Sequence, residues 1–94
     1  MNANYQKGRR NEYRSMRALE AAGYECVRTA GSHGAFDIVG MSSSDIVLVQ
    51  VKSNGWPSPA EMEKIEMVKV PPCARKLIHR YDDGNSVPRV KEVK

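Results

Sequence analysis

The sequence predicts a mixed α/β fold, a single β-sheet flanked by helices in the order α-β-β-β-α-β-β. Three observations carry that expectation. Residues 9–22 place Met16 and Leu19 on one stripe at helical spacing, with Ala22 following, and Gly23 stands as a C′ stop. Residues 46–52 are apolar on both faces for most of their length, as in strands at the centre of an α/β sheet. Ser58, Pro59 and Glu61 spell an N-cap, a first-turn proline and a capping-box acid, which opens a second helix.

The remaining elements follow in order. Residues 1–7 are polar and are expected to fray. Strands are expected at 24–29 and 36–41, separated by the small-residue turn Ala30-Gly31-Ser32-His33-Gly34. Ser42, Ser43, Ser44 and Asp45 turn the chain into the third strand. There, alternation puts Ile46, Leu48, Gln50 and Lys52 on one face and Val47, Val49 and Val51 on the other. The second helix, 59–68, points Met62, Ile65 and Val68 inward and leaves Glu61, Glu63 and Glu66 on an exposed face. A fourth strand at 75–81 sets Leu77 and His79 against Ile78 and Arg80. Asp82-Asp83-Gly84-Asn85 reads as a hairpin turn, and 87–93 as a final edge strand. The 94 residues suffice for one domain with one modest core.

Composition narrows the class. Hydrophobic residues make up 40% and charged residues 28%, a globular rather than disordered balance. No apolar run approaches the about 20 residues that span a bilayer, and no segment has a signal-peptide layout. The expectation is a protein without membrane association, in the cytoplasm, at the nucleoid or in a phage-infected cell. Cys26 and Cys73 lie far apart without metal-ligand spacing and read as reduced, structural thiols. Net charge is +4. Lys7, Arg9, Arg10, Arg14 and Arg17 crowd the N-terminal seventeen residues, where Glu12 is the one acid. That asymmetry suits phosphate contacts, although a solvated helix face would look the same.

Asp37 stands inside the apolar run Phe36-Asp37-Ile38-Val39, and Lys52 ends the next one. An acid and a lysine are costly to bury without a purpose. Glu12, four residues before Met16, adds an acid in line with core positions, with Arg9 or Arg10 as a structural partner in the plainer reading. Phosphodiester hydrolysis would supply the purpose: it needs a hard cation, an aimed water and a fixed positive charge. Magnesium takes oxygen ligands and keeps several waters. Glu12 and Asp37 can provide carboxylates, Val51 a main-chain carbonyl, and Lys52 the positive charge. Lys52 also has a plainer reading as strand-end solvation, and Ser32 reads as a turn residue bonding its own backbone.

These residues resemble the PD-(D/E)XK nuclease superfamily, and most of all the archaeal-type Holliday-junction resolvases. The resemblance runs from Lys7-Gly8 through Glu12, Arg28 to Gly34, Phe36 to Val39, and Val49-Gln50-Val51-Lys52. It implies a restriction-endonuclease-like core and a magnesium-dependent endonuclease, with manganese able to substitute. Asp37 and Glu12 would bind the metal, with Gln50 and the Val51 carbonyl. Lys52 would assist catalysis and Ser32 would lie near the scissile phosphate. Lys7, Arg9, Arg10, Arg14, Arg28, Gly31, Ser32 and His33 would face branched or double-stranded DNA. Paired cuts in a four-way junction imply a homodimer. One departure stands out. The family usually carries an acid where this chain has Gln50, whose amide oxygen ligates without charge, so weaker metal binding is expected. A repair- or restriction-like nuclease acting on flaps or duplex, and a non-catalytic branched-DNA-binding protein, are the competing readings. Trp56 either packs over the sheet edge or stacks on an opened base.

Overall fold

The computed structural model describes the backbone of residues 3–29 and 34–94, with side chains from residue 7 onward. Helix α1 spans Ala3–Ala21, followed by strands β1 (Glu25–Arg28), β2 (Ile38–Met41) and β3 (Ile46–Ser53). Helix α2 (Pro59–Met67), β4 (Ala74–Tyr81) and β5 (Arg89–Val93) complete the chain. The strands form one five-stranded sheet in sequential order, antiparallel throughout except for the parallel β3–β4 pair. A parallel pair needs a crossover, and α2 is that crossover. The expected central strand is indeed β3.

Each face of the sheet builds its own core, as strand alternation dictates. Leu19 of α1 packs with Ile38, Val47, Val49 and Leu77 on one side. Ile65 of α2 packs with Phe36, Ile78 and Val93 on the other. Burying each such side chain stabilises the fold by about 1.5–3 kcal/mol before entropy is counted. Gly40 of β2 is buried where a Cβ would stand 3.0 Å from Val47 Cγ2 and 3.3 Å from Cys26 Sγ, so only glycine fits without displacement.

The helix termini obey local rules. Gly23, at φ 99°, ends α1. Its N–H donates to the Glu20 carbonyl and that of Tyr24 to Leu19, a Schellman arrangement. At α2, Ser58 and Glu61 exchange both capping-box hydrogen bonds. The C-terminus of α2 is closed from a distance. Lys76 of β4 is buried, and its ammonium donates to the carbonyls of Ile65, Glu66 and Val68 at 3.0–3.2 Å.

Expectation and structure differ at the edges. The segment expected to fray is helical from Ala3. No acid occupies its first turn. An ion pair from Lys7 to Asp83 of the β4–β5 turn, at 2.9 Å, ties it down instead. The fifth strand begins at Arg89, after Pro88, rather than at residue 87. Cys26 is half-buried and Cys73 exposed, both free.

Candidate active site

Three elements bring the candidate residues together at one end of the sheet. Just before β2, Asp37 is pinned on both sides through its main chain. Its N–H donates to the Val49 carbonyl at 2.8 Å, and its carbonyl accepts from the Thr29 N–H at 2.9 Å. Beyond Val49, β2 no longer accompanies β3, which leaves the Val51 N–H without a strand partner on that side. The Asp37 carboxylate takes it, Oδ2 accepting at 2.8 Å. The N–H and C=O of a strand residue point to the same neighbour. The Val51 carbonyl therefore opens toward the flank that Asp37 occupies. Gln50 lies on β3 between Val49 and Val51, the two residues whose main chains bond Asp37.

Glu12 arrives on α1, which is held against the end of β3 by polar contacts beside it. Asn11 is buried and donates from Nδ2 to Ser53 Oγ at 2.9 Å, while its Oδ1 accepts from Arg14. One turn on, buried Ser15 shares a 2.8 Å hydrogen bond with His79 Nδ1 and a 2.9 Å bond with the Tyr81 hydroxyl. Glu12 Oε1 accepts from Arg28 Nε at 2.9 Å. The guanidinium also donates to the Tyr13 hydroxyl and lies over the Tyr13 ring, 5.1 Å from its centre. Glu12 thus pairs with Arg28, and the charge of Arg9 acts on it as well. Arg28 bridges α1 and β1 rather than standing free to face a ligand.

Both acids sit above the usual carboxylate range. Burial raises Glu12 first and the neighbouring charge of Asp37 adds to it, against the lowering effect of Arg28. Burial likewise raises Asp37, against the Val51 N–H, Lys52 and Arg28. Two half-buried, mutually repelling carboxylates are a site that a cation relieves. Among the described residues no group of three or more His, Cys, Asp or Glu could hold a metal ion. The candidate donors are two carboxylates, an amide oxygen and a carbonyl. That all-oxygen set fits a hard divalent cation such as magnesium and lacks the nitrogen and sulfur ligands of structural zinc.

Lys52 stands one residue before the end of β3, and its ammonium pairs with Glu61 of α2 at 3.2 Å. Glu61 therefore does two jobs, closing the capping box at the Ser58 N–H and tethering Lys52. The sequence located Glu61 at N3 but left it on an exposed face. Its capping role was legible, whereas its partner nine residues earlier was not. Gln50 and Glu61 also line a small pocket of about 100 Å³ with Gly34, Ala35, Lys64 and Ile65.

The expected DNA-facing residues divide. Lys7, Arg10 and Arg14 line a cleft of about 310 Å³ with the β4–β5 turn, within which Lys7 is paired to Asp83. Arg9 lies over Tyr13. Ala30, Gly31, Ser32 and His33 lie outside the described residues. Trp56 lies against Arg80, Arg89 and Lys91 and is itself exposed. His79 is buried.

The model of the archaeal Holliday junction resolvase (Hjc) family matches residues 3–76. The chain belongs to that family. Such resolvases are metal-dependent endonucleases, and membership makes this chain a structure-selective, junction-resolving nuclease. Among solved structures, the chain is similar to Hjc of Archaeoglobus fulgidus, a Holliday junction resolvase from an archaeal hyperthermophile. The TM-score is 0.74 at 22% identity, over 90% of this chain and 76% of that one. That likeness bears out the single mixed sheet and two helices. No curated protein matches the sequence. The resemblance read from Glu12, Asp37 and Lys52 is thereby borne out at the level of family. No helix is long and apolar enough among the described residues to cross a membrane.

Proposed function

We propose that this chain, acting as one nuclease domain within a homodimer, makes paired magnesium-dependent nicks in four-way DNA junctions. The observation that carries the reading is the meeting of Glu12 and Asp37, from separate elements, as two carboxylates raised above their usual range at the end of β3. Glu12, Asp37, the Gln50 amide oxygen and the Val51 carbonyl would hold the ion, with manganese able to replace magnesium. A bound divalent ion neutralises the phosphate oxygens and the leaving oxygen. Lys52 supplies fixed positive charge to the scissile phosphate and orients the attacking water, and Glu61 holds Lys52 in place. The family resemblance assigns Ser32 to that phosphate and Gly31 and His33 to the DNA backbone. Lys7, Arg9, Arg10 and Arg14 on α1 contact flanking phosphates, and Arg28 holds Glu12 in position beside them. The expected place of action is the cytoplasm, at the nucleoid.

A labelled four-way junction, a flap and a linear duplex, each with magnesium and with EDTA, test this directly. Symmetric magnesium-dependent nicks in the junction are expected. Asp37→Ala is expected to lower their rate by at least about 100-fold, the loss typical of removing a key electrostatic group. Preferential cutting of flap or duplex would move the substrate to repair-type structures. Junction binding without cutting under any condition would sink the catalytic reading of Glu12 and Asp37.

A further inference from the structure

Away from the two acids, the strand register lines up a row of cations. Lys52 of β3 is the neighbour of Arg80 of β4, and Arg80 is the neighbour of Arg89 of β5. Adjacent strands lie about 4.8 Å apart, so the row runs about 10 Å from Lys52 to the edge of the sheet. Lys91, two residues along β5, shares the face of Arg89. All three cations beyond Lys52 gather about one side chain. The Trp56 ring centre is 5.3 Å from the Arg80 guanidinium, 5.6 Å from that of Arg89 and 5.9 Å from the Lys91 ammonium. One carboxylate, Asp82, pairs with both arginines, at 2.9 Å and 3.6 Å. Three cations against one carboxylate partner among the described residues leave an excess of positive charge. Arg89 and Lys91 are exposed on an edge strand. An indole face attracts cations and holds them together despite their mutual repulsion. What such a cluster lacks is a counter-anion.

We propose that Trp56, Arg80, Arg89 and Lys91 form a second DNA contact, in which the indole gathers the cations and these hold the phosphodiester backbone of one junction arm. The inference rests on the reading above that Lys52 faces the scissile phosphate. The row then spans about three base steps at about 3.4 Å each along a duplex axis. It fits phosphates flanking the cut on the β5 side, while the α1 cations serve the other side. Two arginines and a lysine already gather about the ring, so Trp56 organises the contact, with base stacking as the competing role that the test separates.

Junction binding by the full chain is measured in EDTA across a salt series, alongside cutting by the wild type in magnesium. For Arg89→Ala with Lys91→Ala, the slope of log affinity against log salt is expected to fall by about two, close to one per lost phosphate contact. Asp82→Asn is expected to act oppositely, with tighter binding and a steeper slope, a result that misfolding does not produce. Trp56→Ala is expected to weaken binding and flatten the slope, and Trp56→Phe to do so less. An unchanged slope in the double variant, while the wild type binds and cuts junctions, would overturn the patch alone. Loss of affinity in Trp56→Ala with an unchanged slope in the double variant would replace it with base stacking. Failure of the wild type to cut would overturn the reading beneath it, and this inference with it.

Discussion

Asp37 is held at its main chain by two strands and at its side chain by the Val51 N–H, so its placement is structural before it is chemical. Gln50, between the Val49 and Val51 that bond Asp37, offers oxygen without charge. One more charge beside a divalent ion is worth a few kcal/mol at an effective dielectric of about 20, less what burial takes back. Gln50→Glu is therefore expected to tighten magnesium binding by roughly tenfold or more in titration calorimetry. Equal or weaker affinity would remove Gln50 from the ligand set. Lys52 permits a similarly clean substitution, because glutamine at N3 also closes a capping box. Glu61→Gln should keep α2 intact and remove only the charge that tethers Lys52. The expected outcome is a kcat lowered by about three- to tenfold with KM for the junction unchanged, because misplacing a catalytic group costs rate more than binding. A matching rise in KM alone would show that the pair serves binding.

Among the elements, α1 and β4 are joined by the buried Ser15, His79 and Tyr81, and that contact carries a pH signature. Burial holds the His79 imidazole below its ordinary value near 6.5. Between the folded and unfolded values the unfolded chain binds the extra proton, so stability rises with pH through that window. It is fully present above about pH 6.5 and is lost as pH falls below it. Glu12 and Asp37, raised in the folded state, act with the opposite sign toward lower pH. Subtracting the profile of His79→Gln isolates the imidazole. Urea midpoints from pH 7.5 to 5 are expected to drop in the wild type relative to the variant, and parallel profiles would refute the assignment. Helix α2 shows what sequence periodicity does and does not reveal at this scale. Its N-cap, proline and inward Ile65 follow from adjacent residues. Its C-terminal cap is Lys76, whose burial among carbonyls of residues 65–68 depends on the parallel crossover. A lysine in a strand gives no local sign of that use.

At the scale of the molecule, one sheet carries a helix on each face and collects its acids and Lys52 at one end. Paired nicks require two such centres, so the proposed assembly should sediment at twice the 10.5 kDa chain mass. Persistence of a monomer at micromolar concentration, together with full junction cutting, would discard the dimer.

Much of this design was legible in the linear chain. The seven elements, the central β3, the Gly23 stop and the α2 cap all follow from residues within a few positions of one another. Backbone sterics, hydrophobic periodicity and capping act over that range. Asp37, Gln50 and Lys52 stood out for the same reason, as polar groups where the pattern demanded apolar ones. The tertiary structure alone decided that Arg28 pairs with Glu12, that Glu61 holds Lys52, and that Trp56 meets cations from β4 and β5. It also decided that Lys7, at the start of the chain, reaches Asp83 and that helix begins before residue 7. Those pairings join residues 9 to 76 positions apart. Strand register and the path of the α2 crossover set them, and neither is written in the spacing of neighbouring residues.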